Sequence, residues 1–194
     1  MSVNSFIITA AGSGKTMRLV NEALTIGDVN VLITTFTETN EKEIKDKILK
    51  TKKYIPANIT VQTWFSFLLQ HGVRPYQGVM SNDLFSKKIG FCLIEGKSGL
   101  KYTDKSGRQI YWGEDNFEKY YFTKDFKIYS DKISKFVFEC NKRMGNEVID
   151  RLARIYPHIF IDEVQDLAGW DLELLKLFFQ SPSRVLMVGD PRQS

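Results

Sequence analysis

The sequence of 194 residues has few of the side chains that form disulfide cross-links or metal centres in small folds. Its two cysteines, Cys92 and Cys140, are too few for a disulfide framework, and neither lies at metal-ligand spacing from His71 or His158. We therefore predict no zinc site and interpret all four as core or surface residues. No apolar run is long enough to span a bilayer, and no signal peptide opens the chain. These absences predict a cytoplasmic protein without membrane association.

The chain also lacks a strong excess of charge of either sign. Its 27 Lys and Arg against 23 Asp and Glu give a net charge of +4. A mildly basic chain is compatible with a polyanionic partner, and equally with surplus surface lysine. The hydrophobic fraction of 43% and charged fraction of 26% are typical of a globular protein. The length allows one hydrophobic core, or one core that carries an insertion.

Both ends of the chain alternate between short apolar runs and amphipathic segments. The runs predict strands over residues 6–8, 29–33, 59–61, 158–161 and 184–188. The amphipathic segments predict helices over residues 15–24, 40–50, 64–70 and 172–179. Strands that alternate with helices favour βαβ units, so this part predicts an α/β domain with a parallel sheet flanked by helices.

The middle of the chain has a different composition, rich in Lys, Tyr and Phe with several Gly-containing turns. Residues 109–112 are typical of one arm of a hairpin, and residues 131–141 of a helix. We predict that residues 74–146 form a mostly helical inserted subdomain. Residues 1–73 and 147–194 then form one discontinuous domain around it.

A glycine-rich turn lies between the first predicted strand and the first predicted helix, where a phosphate-binding P-loop belongs. It reads Ala11-Gly12-Ser13-Gly14-Lys15-Thr16. Its backbone N–H groups and the helix N-terminus would cradle the phosphates of ATP. Lys15 would reach the β- and γ-phosphates, and the Thr16 hydroxyl would hold Mg²⁺. The first glycine of the usual pattern is Thr9 here, and a plain helix-capping turn is the alternative.

A second acidic element is expected at the end of a neighbouring strand. Residues 159–163 supply it, since the apolar run Ile159-Phe160-Ile161 ends in Asp162 and Glu163. Asp162 would bind Mg²⁺, through water, and Glu163 would act as general base toward the attacking water. A solvated strand end is the alternative. The sequence contains no Asn/Thr-Lys-x-Asp stretch of the kind that reads guanine.

Five stretches occur in the order found in one family, and the sequence resembles the UvrD/Rep-like superfamily 1 DNA helicases. The matching stretches are residues 11–16 (motif I), Thr35-Phe36-Thr37 (motif Ia), residues 61–67 (motif Ic), Asp162-Glu163-Val164-Gln165-Asp166 (motif II) and Gly189-Asp190-Pro191-Arg192-Gln193-Ser194 (motif III). The resemblance implies a RecA-like P-loop NTPase fold, ATP and Mg²⁺ as cofactors, and single-stranded DNA as partner. Residues 74–146 occupy the place of the family's 1B subdomain.

The resemblance also implies roles on the ATP side. Gln193 would act as a catalytic contact to the γ-phosphate. Gln165 and Asp166 would connect the ATP site to the neighbouring motif.

On the DNA side, Phe36 would pack against a base and Thr63 would bond a backbone phosphate. Trp64 is a further aromatic candidate. Core packing is the alternative for Phe36 and Trp64.

The sequence departs from the family at several points. The family's adenine-reading glutamine segment before the first strand has no counterpart, and motif Ia continues Glu38-Thr39-Asn40-Glu41 where Asn-Lys-Ala-Ala is usual. Phe65 stands where the family often has His. A second RecA-like domain follows motif III in the family, whereas this sequence ends at Ser194. We expect weak nucleotide binding and slow hydrolysis without that domain or a partner protein.

Three functions are compatible with these residues. The first is the N-terminal motor domain of an ATP-dependent DNA helicase or translocase. The second is a nucleotide-gated protein-interaction switch without translocation, which the altered motif Ia would fit. The third is a P-loop enzyme with another acceptor, such as a small-molecule kinase, and Gln165 and motif III argue against it.

Overall fold

A computed structural model of the protein describes residues 4–8 and 14–190. The chain divides into two compact units, Met1–Phe67 with Ile149–Ser194 and Leu68–Val148. The strands are β1 (Ser5–Ile8), β2 (Val31–Thr35), β3 (Ile59–Thr63), β4 (Gly90–Cys92), β5 (Leu100–Thr103), β6 (Gln109–Tyr111), β7 (Lys127–Tyr129), β8 (His158–Ile161) and β9 (Arg184–Gly189). The helices are α1 (Lys15–Thr25), α2 (Glu38–Lys52), α3 (Trp64–Phe67), α4 (Gln77–Met80), α5 (Phe117–Tyr121), α6 (Ile133–Arg143), α7 (Glu147–Ile155) and α8 (Trp170–Gln180). A π-helical segment, Leu68–Val73, continues α3, and 3₁₀ turns lie at Asn82–Leu84 and Val164–Asp166.

The first unit is built on a five-stranded sheet in the order β1-β9-β8-β2-β3, in which every pairing is parallel. Parallel sheets are covered on both faces, which is why all five residues of β2 are buried. Thr34 lies opposite Ile161 of β8, and Thr35 opposite Thr63 of β3. The carboxyl ends of these three strands therefore meet at one edge of the sheet.

The hydrophobic core of this unit forms where α1 and α2 pack beside the sheet. Helix α1 buries one stripe at helical spacing, and α2 buries Ile44 and Ile48 four residues apart. The core cluster consists of Leu19, Val20, Ala23, Val31, Ile33, Ile44, Ile48, Ile59, Val61, Phe160, Leu186 and Val188. The predicted α/β fold with a parallel sheet flanked by helices is thus confirmed.

Helix α2 begins where its sequence provides a cap. The Thr37 hydroxyl accepts a hydrogen bond from the Asn40 N–H at 3.1 Å, which satisfies one of the unpaired donors of the first turn. Acidic Glu38 and Glu41 lie in the first turn and basic residues in the last, as the helix dipole favours. The helix ends at Lys52, and Lys53 after it has the left-handed backbone of a C-cap (φ 68°).

The second unit combines helices with two small sheets. Strands β4 and β7 pair in parallel, and β5 and β6 form an antiparallel hairpin. Phe117, Tyr121, Phe122 and Phe136 contact one another at centroid distances of 5.1–6.4 Å and give this unit an aromatic core. Short strands thus accompany the helices predicted for this part. Its identification as a 1B-like subdomain with boundaries at 74 and 146 stays a prediction.

Helix α7 was missed by the sequence prediction. Its signal was present, because Val148, Ile149, Leu152 and Ala153 are buried and recur at the i, i+1, i+4, i+5 spacing of one helical face. The predicted hairpin arm at 109–112 and the predicted helix at 131–141 correspond to β6 and α6. Within the described residues, no helix combines the length and the apolar character that a bilayer crossing requires.

Leu186→Ala tests whether the parallel sheet carries the stability of the first unit. Leu186 is buried in β9, so its truncation should lower the free energy of unfolding by about 2–5 kcal/mol. The same substitution at Leu49, which is 40% exposed on α2, should cost about 0.5 kcal/mol or less. Urea unfolding followed by circular dichroism measures both, and equal costs would contradict the assigned core.

The two thiols should differ strongly in reactivity. Burial raises the pKa of the fully buried Cys140 thiol to about 12, whereas Cys92 is half-buried. Because the thiolate is the reactive form, Cys140 in a Cys92→Ser variant should react with a disulfide reagent at pH 8 roughly a hundredfold or more slowly than after unfolding in guanidinium. A Cys140→Ser variant, which keeps the half-buried Cys92, is the matched control, and its thiol should react at a more similar rate in the native and unfolded chain. Fast native labelling of Cys140 would show that α6 is not packed as described.

Candidate active site

The candidate site lies at the carboxyl edge of the parallel sheet, beside the first turn of α1. Helix α1 begins at Lys15, and Gly14 before it has a left-handed backbone (φ 79°), which glycine adopts without steric cost. Four of the predicted site residues, Ala11, Gly12, Ser13 and Gln193, lie outside the described residues, as does Thr9. The geometry therefore concerns Lys15 and Thr16 on α1 and the acidic residues that follow β8.

Thr16 and Asp162 are brought together although 146 residues separate them. The Thr16 hydroxyl donates a hydrogen bond to Asp162 Oδ2 at 2.9 Å. Asp162 is 2% exposed, and its N–H donates to the Thr34 carbonyl, which extends the β2–β8 ladder by one bond. Burial raises the pKa of the Asp162 carboxyl, the Thr16 hydrogen bond opposes this, and the nearby Glu163 charge adds to it. The site thus holds a carboxylate whose charge is poorly solvated.

Lys15 and Glu163 form a second pair next to the first. Lys15 Nζ lies 3.4 Å from Glu163 Oε2, and the Lys15 side chain is 7% exposed. Glu163 has a left-handed backbone (φ 54°, ψ 50°), unusual for a residue with a side chain. Such a conformation costs on the order of 1–3 kcal/mol and tends to occur at functional sites. The Glu163 N–H also donates to Asp162 Oδ1 at 3.2 Å, so both acids are fixed in one turn.

Gln165 connects this turn to the end of β9. Its Nε2 donates to Glu163 Oε2 at 2.5 Å, and its Oε1 accepts from the Asp190 N–H at 3.1 Å. Gly189 makes this contact possible, because a Cβ there would lie 2.7 Å from Gln165 Oε1 and 2.7 Å from a Val164 methyl. One side-chain amide therefore links the acidic turn to the strand that leads into residues 191–194. The Asp166 side chain is exposed, and its N–H donates to the Glu163 carbonyl.

The donor set suits a magnesium nucleotide. A threonine hydroxyl and a carboxylate are hard oxygen ligands of the kind Mg²⁺ prefers, and Mg²⁺ takes its remaining ligands from phosphates and water. Over the described ranges, no group of three or more His, Cys, Asp and Glu side chains could hold a metal ion, so an all-protein metal cage is not formed there. The Lys15 ammonium beside Glu163 provides the positive charge that a phosphate requires.

The predicted DNA contacts lie at the same edge of the sheet and differ in accessibility. Phe36 follows β2, is half-buried, and packs edge-on against Phe65 at 4.9 Å between ring centroids. Trp64 is 1% exposed, packs on Phe67 and Phe178, and donates from Nε1 to Asp171 Oδ1 at 2.7 Å. The core alternative therefore describes Trp64, whose ring is not presented to a ligand in this structure.

Thr63 caps the short helix that follows β3. Its hydroxyl accepts from the Ser66 N–H at 3.2 Å and lies 2.9 Å from the Ser66 hydroxyl. Its own N–H donates to Glu41 Oε2 at 3.0 Å, while Glu41 Oε1 accepts from Lys45 at 2.5 Å. Both Thr63 groups that could bond a phosphate are thus engaged within the chain. Glu41 was noted in the sequence as a departure from the family, but its bond to Thr63 was not predicted.

Comparison with known proteins agrees with the fold. A family model described as an AAA domain matches residues 1–194. The chain is also 24% identical over 232 aligned residues to a protein of Mycoplasma capricolum subsp. capricolum described as a probable DNA helicase II homolog. That alignment covers 97% of this chain and 32% of the relative, so the chain spans about a third of the length of the curated relative it matches.

Gly189→Ala tests the close contact between β9 and Gln165. The added Cβ would overlap both the Gln165 side chain and Val164, and we expect a loss of about 1–3 kcal/mol in the free energy of unfolding. Gly27→Ala is the matched control, because a Cβ at Gly27 meets no atom within 4 Å. Urea unfolding of the two variants checks the expectation. A Gly189→Ala variant as stable as the control would mean that Gln165 is not held against the strand.

Proposed function

Because the chain belongs to the AAA-domain family of UvrD/Rep-like helicases, we propose that it binds Mg-ATP and serves as the first motor domain of an ATP-dependent DNA helicase or translocase acting on single-stranded DNA. The observation that supports this most directly is the pair of contacts Thr16–Asp162 and Lys15–Glu163 at one sheet edge. They unite the four side chains that P-loop ATPases use for metal binding, phosphate binding and water activation.

On the nucleotide side, we assign phosphate binding to Lys15 and to the backbone of residues 11–14. Thr16 and Asp162 would hold Mg²⁺, which supplies charge neutralisation on the phosphates when bound. The direct Thr16–Asp162 hydrogen bond leaves the two oxygens adjacent before any ion arrives. This pre-organisation limits the side-chain ordering that binding would otherwise require.

Glu163 is proposed as the general base. Its carboxylate would accept a proton from the attacking water, and the Gln165 amide would hold that carboxylate in position through the 2.5 Å hydrogen bond. Gln165 also accepts a hydrogen bond from the Asp190 N–H. A displacement of the Glu163 carboxylate would therefore be transmitted through Gln165 to the segment that contains Gln193. This supports Gln193 as the proposed contact to the γ-phosphate.

On the DNA side, Phe36 is the proposed stacking residue, since its ring is half-buried at the end of β2, where α2 begins. The alignment covers 32% of the matched relative, and a second motor domain is part of the proposal. An arginine from such a domain raises turnover by roughly 10³–10⁵-fold in related P-loop enzymes. Slow hydrolysis by these 194 residues alone is therefore part of the proposed function.

A nucleotide-gated switch without translocation is the second candidate, and the Glu41 carboxylate is the observation that favours it. Glu41 occupies the Thr63 N–H, the donor that would otherwise bond a DNA phosphate. The negative charge of Glu41 repels a phosphate backbone at this edge unless the Glu41 side chain moves away. If the switch is correct, nucleotide would bind while DNA leaves hydrolysis unchanged.

Paired variants at the site test the ATPase proposal. Lys15→Ala should abolish binding of a fluorescent ATP analogue, because it removes the phosphate-binding cation. Glu163→Gln should keep binding and lower hydrolysis by roughly 10²–10⁴-fold, because a neutral amide cannot take the proton. Lys53→Ala, at the C-cap of α2, is a matched lysine control outside the site.

The same assays, run with and without oligothymidine and with the second motor domain present, separate the two candidates. Stimulation by DNA that is lost in Lys15→Ala would support the motor. Nucleotide binding with no effect of DNA on hydrolysis would favour the switch. Nucleotide binding by Lys15→Ala equal to that of the unaltered chain would refute the site itself.

A further inference from the structure

The second unit contains a solvent-open cavity that the proposed ATP site does not use. Its volume is about 580 Å³, within the range of small-molecule sites, and all of its lining residues belong to the Leu68–Val148 unit. Apolar and aromatic side chains dominate the lining, namely Leu100, Trp112, Phe122, Phe126 and Tyr129. The charged residues of the lining, Glu118, Lys119 and Lys124, are exposed. The cavity is therefore apolar inside and charged at its opening.

One wall of the solvent-open cavity begins an exposed strand. Leu100, which lines the cavity, is the first residue of β5, and all four residues of β5 are exposed. Strand β5 pairs with β6 in a two-stranded sheet, and no other strand in residues 4–8 and 14–190 joins that sheet. An exposed edge of this kind presents N–H and C=O groups that an extended peptide can pair with by adding a strand.

The aromatic faces at the opening are in contact with lysine. Lys119 Nζ lies 4.2 Å and Lys101 Nζ 4.6 Å from the centroid of the Trp112 ring. Lys87 Nζ lies 4.6 Å from the centroid of the Phe126 ring. A flat ligand ring would have to compete with these ammonium groups for the ring faces. Each exposed lysine can instead keep its stem on the ring while its ammonium pairs with a carboxylate.

The charge of the chain is concentrated in the same unit. The second unit holds 14 Lys and Arg against 10 Asp and Glu, which leaves 13 of each for the first unit. The first unit is therefore formally neutral, and the whole excess of +4 belongs to the unit that contains the cavity. Charge complementarity thus favours an acidic partner, whose attraction weakens with added salt.

We propose that this face of the second unit docks an acidic protein segment in extended conformation. The segment adds as a strand to β5, places one apolar side chain in the solvent-open cavity, and pairs its Asp or Glu side chains with Lys119 and Lys124. The exposed strand edge favours a polypeptide, because a phosphodiester backbone has no alternating donors and acceptors with which to complete a sheet. The inference goes beyond the proposed function, since none of these residues belongs to the proposed nucleotide site.

The geometry of a strand defines the probe. Side chains two residues apart lie on the same face, so acids two positions before and after the apolar anchor face the same way as the anchor. We choose a fluorescein-labelled peptide of nine residues, Asp-Thr-Asp-Thr-Phe-Thr-Asp-Thr-Asp, and measure its binding to the whole 194-residue chain by anisotropy. One control peptide has Gly in place of Phe, and another has Lys in place of every Asp. The Phe peptide should bind roughly tenfold or more tightly than either control, because only it supplies both the anchor and the acids.

Variants of the chain locate the contacts. Leu100→Ala should weaken binding of the Phe peptide roughly fivefold, because it removes part of the cavity wall. Leu93→Ala is the matched control, since Leu93 is a 70% exposed leucine of the same unit outside the lining. The double variant Lys119→Glu and Lys124→Glu should weaken binding of the Asp-containing Phe peptide about tenfold and should strengthen binding of the Lys-containing peptide. Circular dichroism checks that each variant is folded.

Backbone methylation tests the added strand. Two isomers of the Phe peptide carry N-methyl groups on alternate residues, either the odd or the even ones. Because alternate N–H groups of a strand point to opposite sides, only one set can donate to β5. One isomer should therefore lose most of its affinity while the other keeps it.

Several results would overturn the proposal. Equal affinity of the chain for the Phe and Gly peptides would remove the anchor, and equal affinity of Leu100→Ala and Leu93→Ala for the Phe peptide would remove the cavity. Equal binding of the two N-methyl isomers would exclude strand addition. Displacement of the Phe peptide by an oligothymidine of twelve nucleotides at lower concentration than by unlabelled Phe peptide would assign this face to nucleic acid instead. Binding of the ATP analogue by Leu100→Ala should equal that of the unaltered chain, so failure of the nucleotide site would be seen separately.

Discussion

The candidate active site depends on a carboxylate that the sheet keeps away from water. Asp162 directly follows the buried strand β8, between β2 and β9, and its backbone N–H continues the hydrogen-bond ladder of the sheet. A charged group in this place is unfavourable unless opposite charge or hydrogen-bond donors reach it. Thr16 supplies one donor and the Glu163 N–H another. In the proposed function, the Mg²⁺ of the nucleotide would supply the further positive charge that this carboxylate lacks.

Much of the first unit could be predicted from the sequence, because parallel strands leave a plain signal. Each strand is buried on both faces, so its residues form an apolar run, and the helices between the strands show one apolar stripe. The same logic brings Lys15 and Thr16 to Asp162 and Glu163, since carboxyl ends of parallel strands share an edge. Hydrogen bonds between distant segments have no such pattern, and the bond from the Thr63 N–H to Glu41 is one of them. The left-handed backbone of Glu163 likewise leaves no periodic signal in the sequence.

The second unit was less predictable for a related reason. Its strands β4 (Gly90–Cys92) and β7 (Lys127–Tyr129) are far apart in the sequence and have three residues each, which is too short for a period-2 pattern to be recognised. The sequence of this unit is rich in aromatic residues but does not indicate which of them are buried. The fold divides them into two groups. Some form the internal core around Phe136, and others, such as Trp112 and Tyr129, line a solvent-open cavity. Only the three-dimensional arrangement separates rings buried in the core of the unit from rings that line an opening to solvent.

The absence of a side chain at Gly189 also has a mechanical consequence. Between the Glu163 carboxylate and the backbone at Asp190 there is one amide group, and no methyl or methylene of residue 189 lies beside it to absorb a displacement. Close-packed contacts of this kind transmit movement because they have little room to compress. A shift of the acidic turn by a few tenths of an ångström would therefore displace the end of β9 by nearly the same distance. The stiffness of the connection therefore depends on Gly189, which places no side chain between Gln165 and β9.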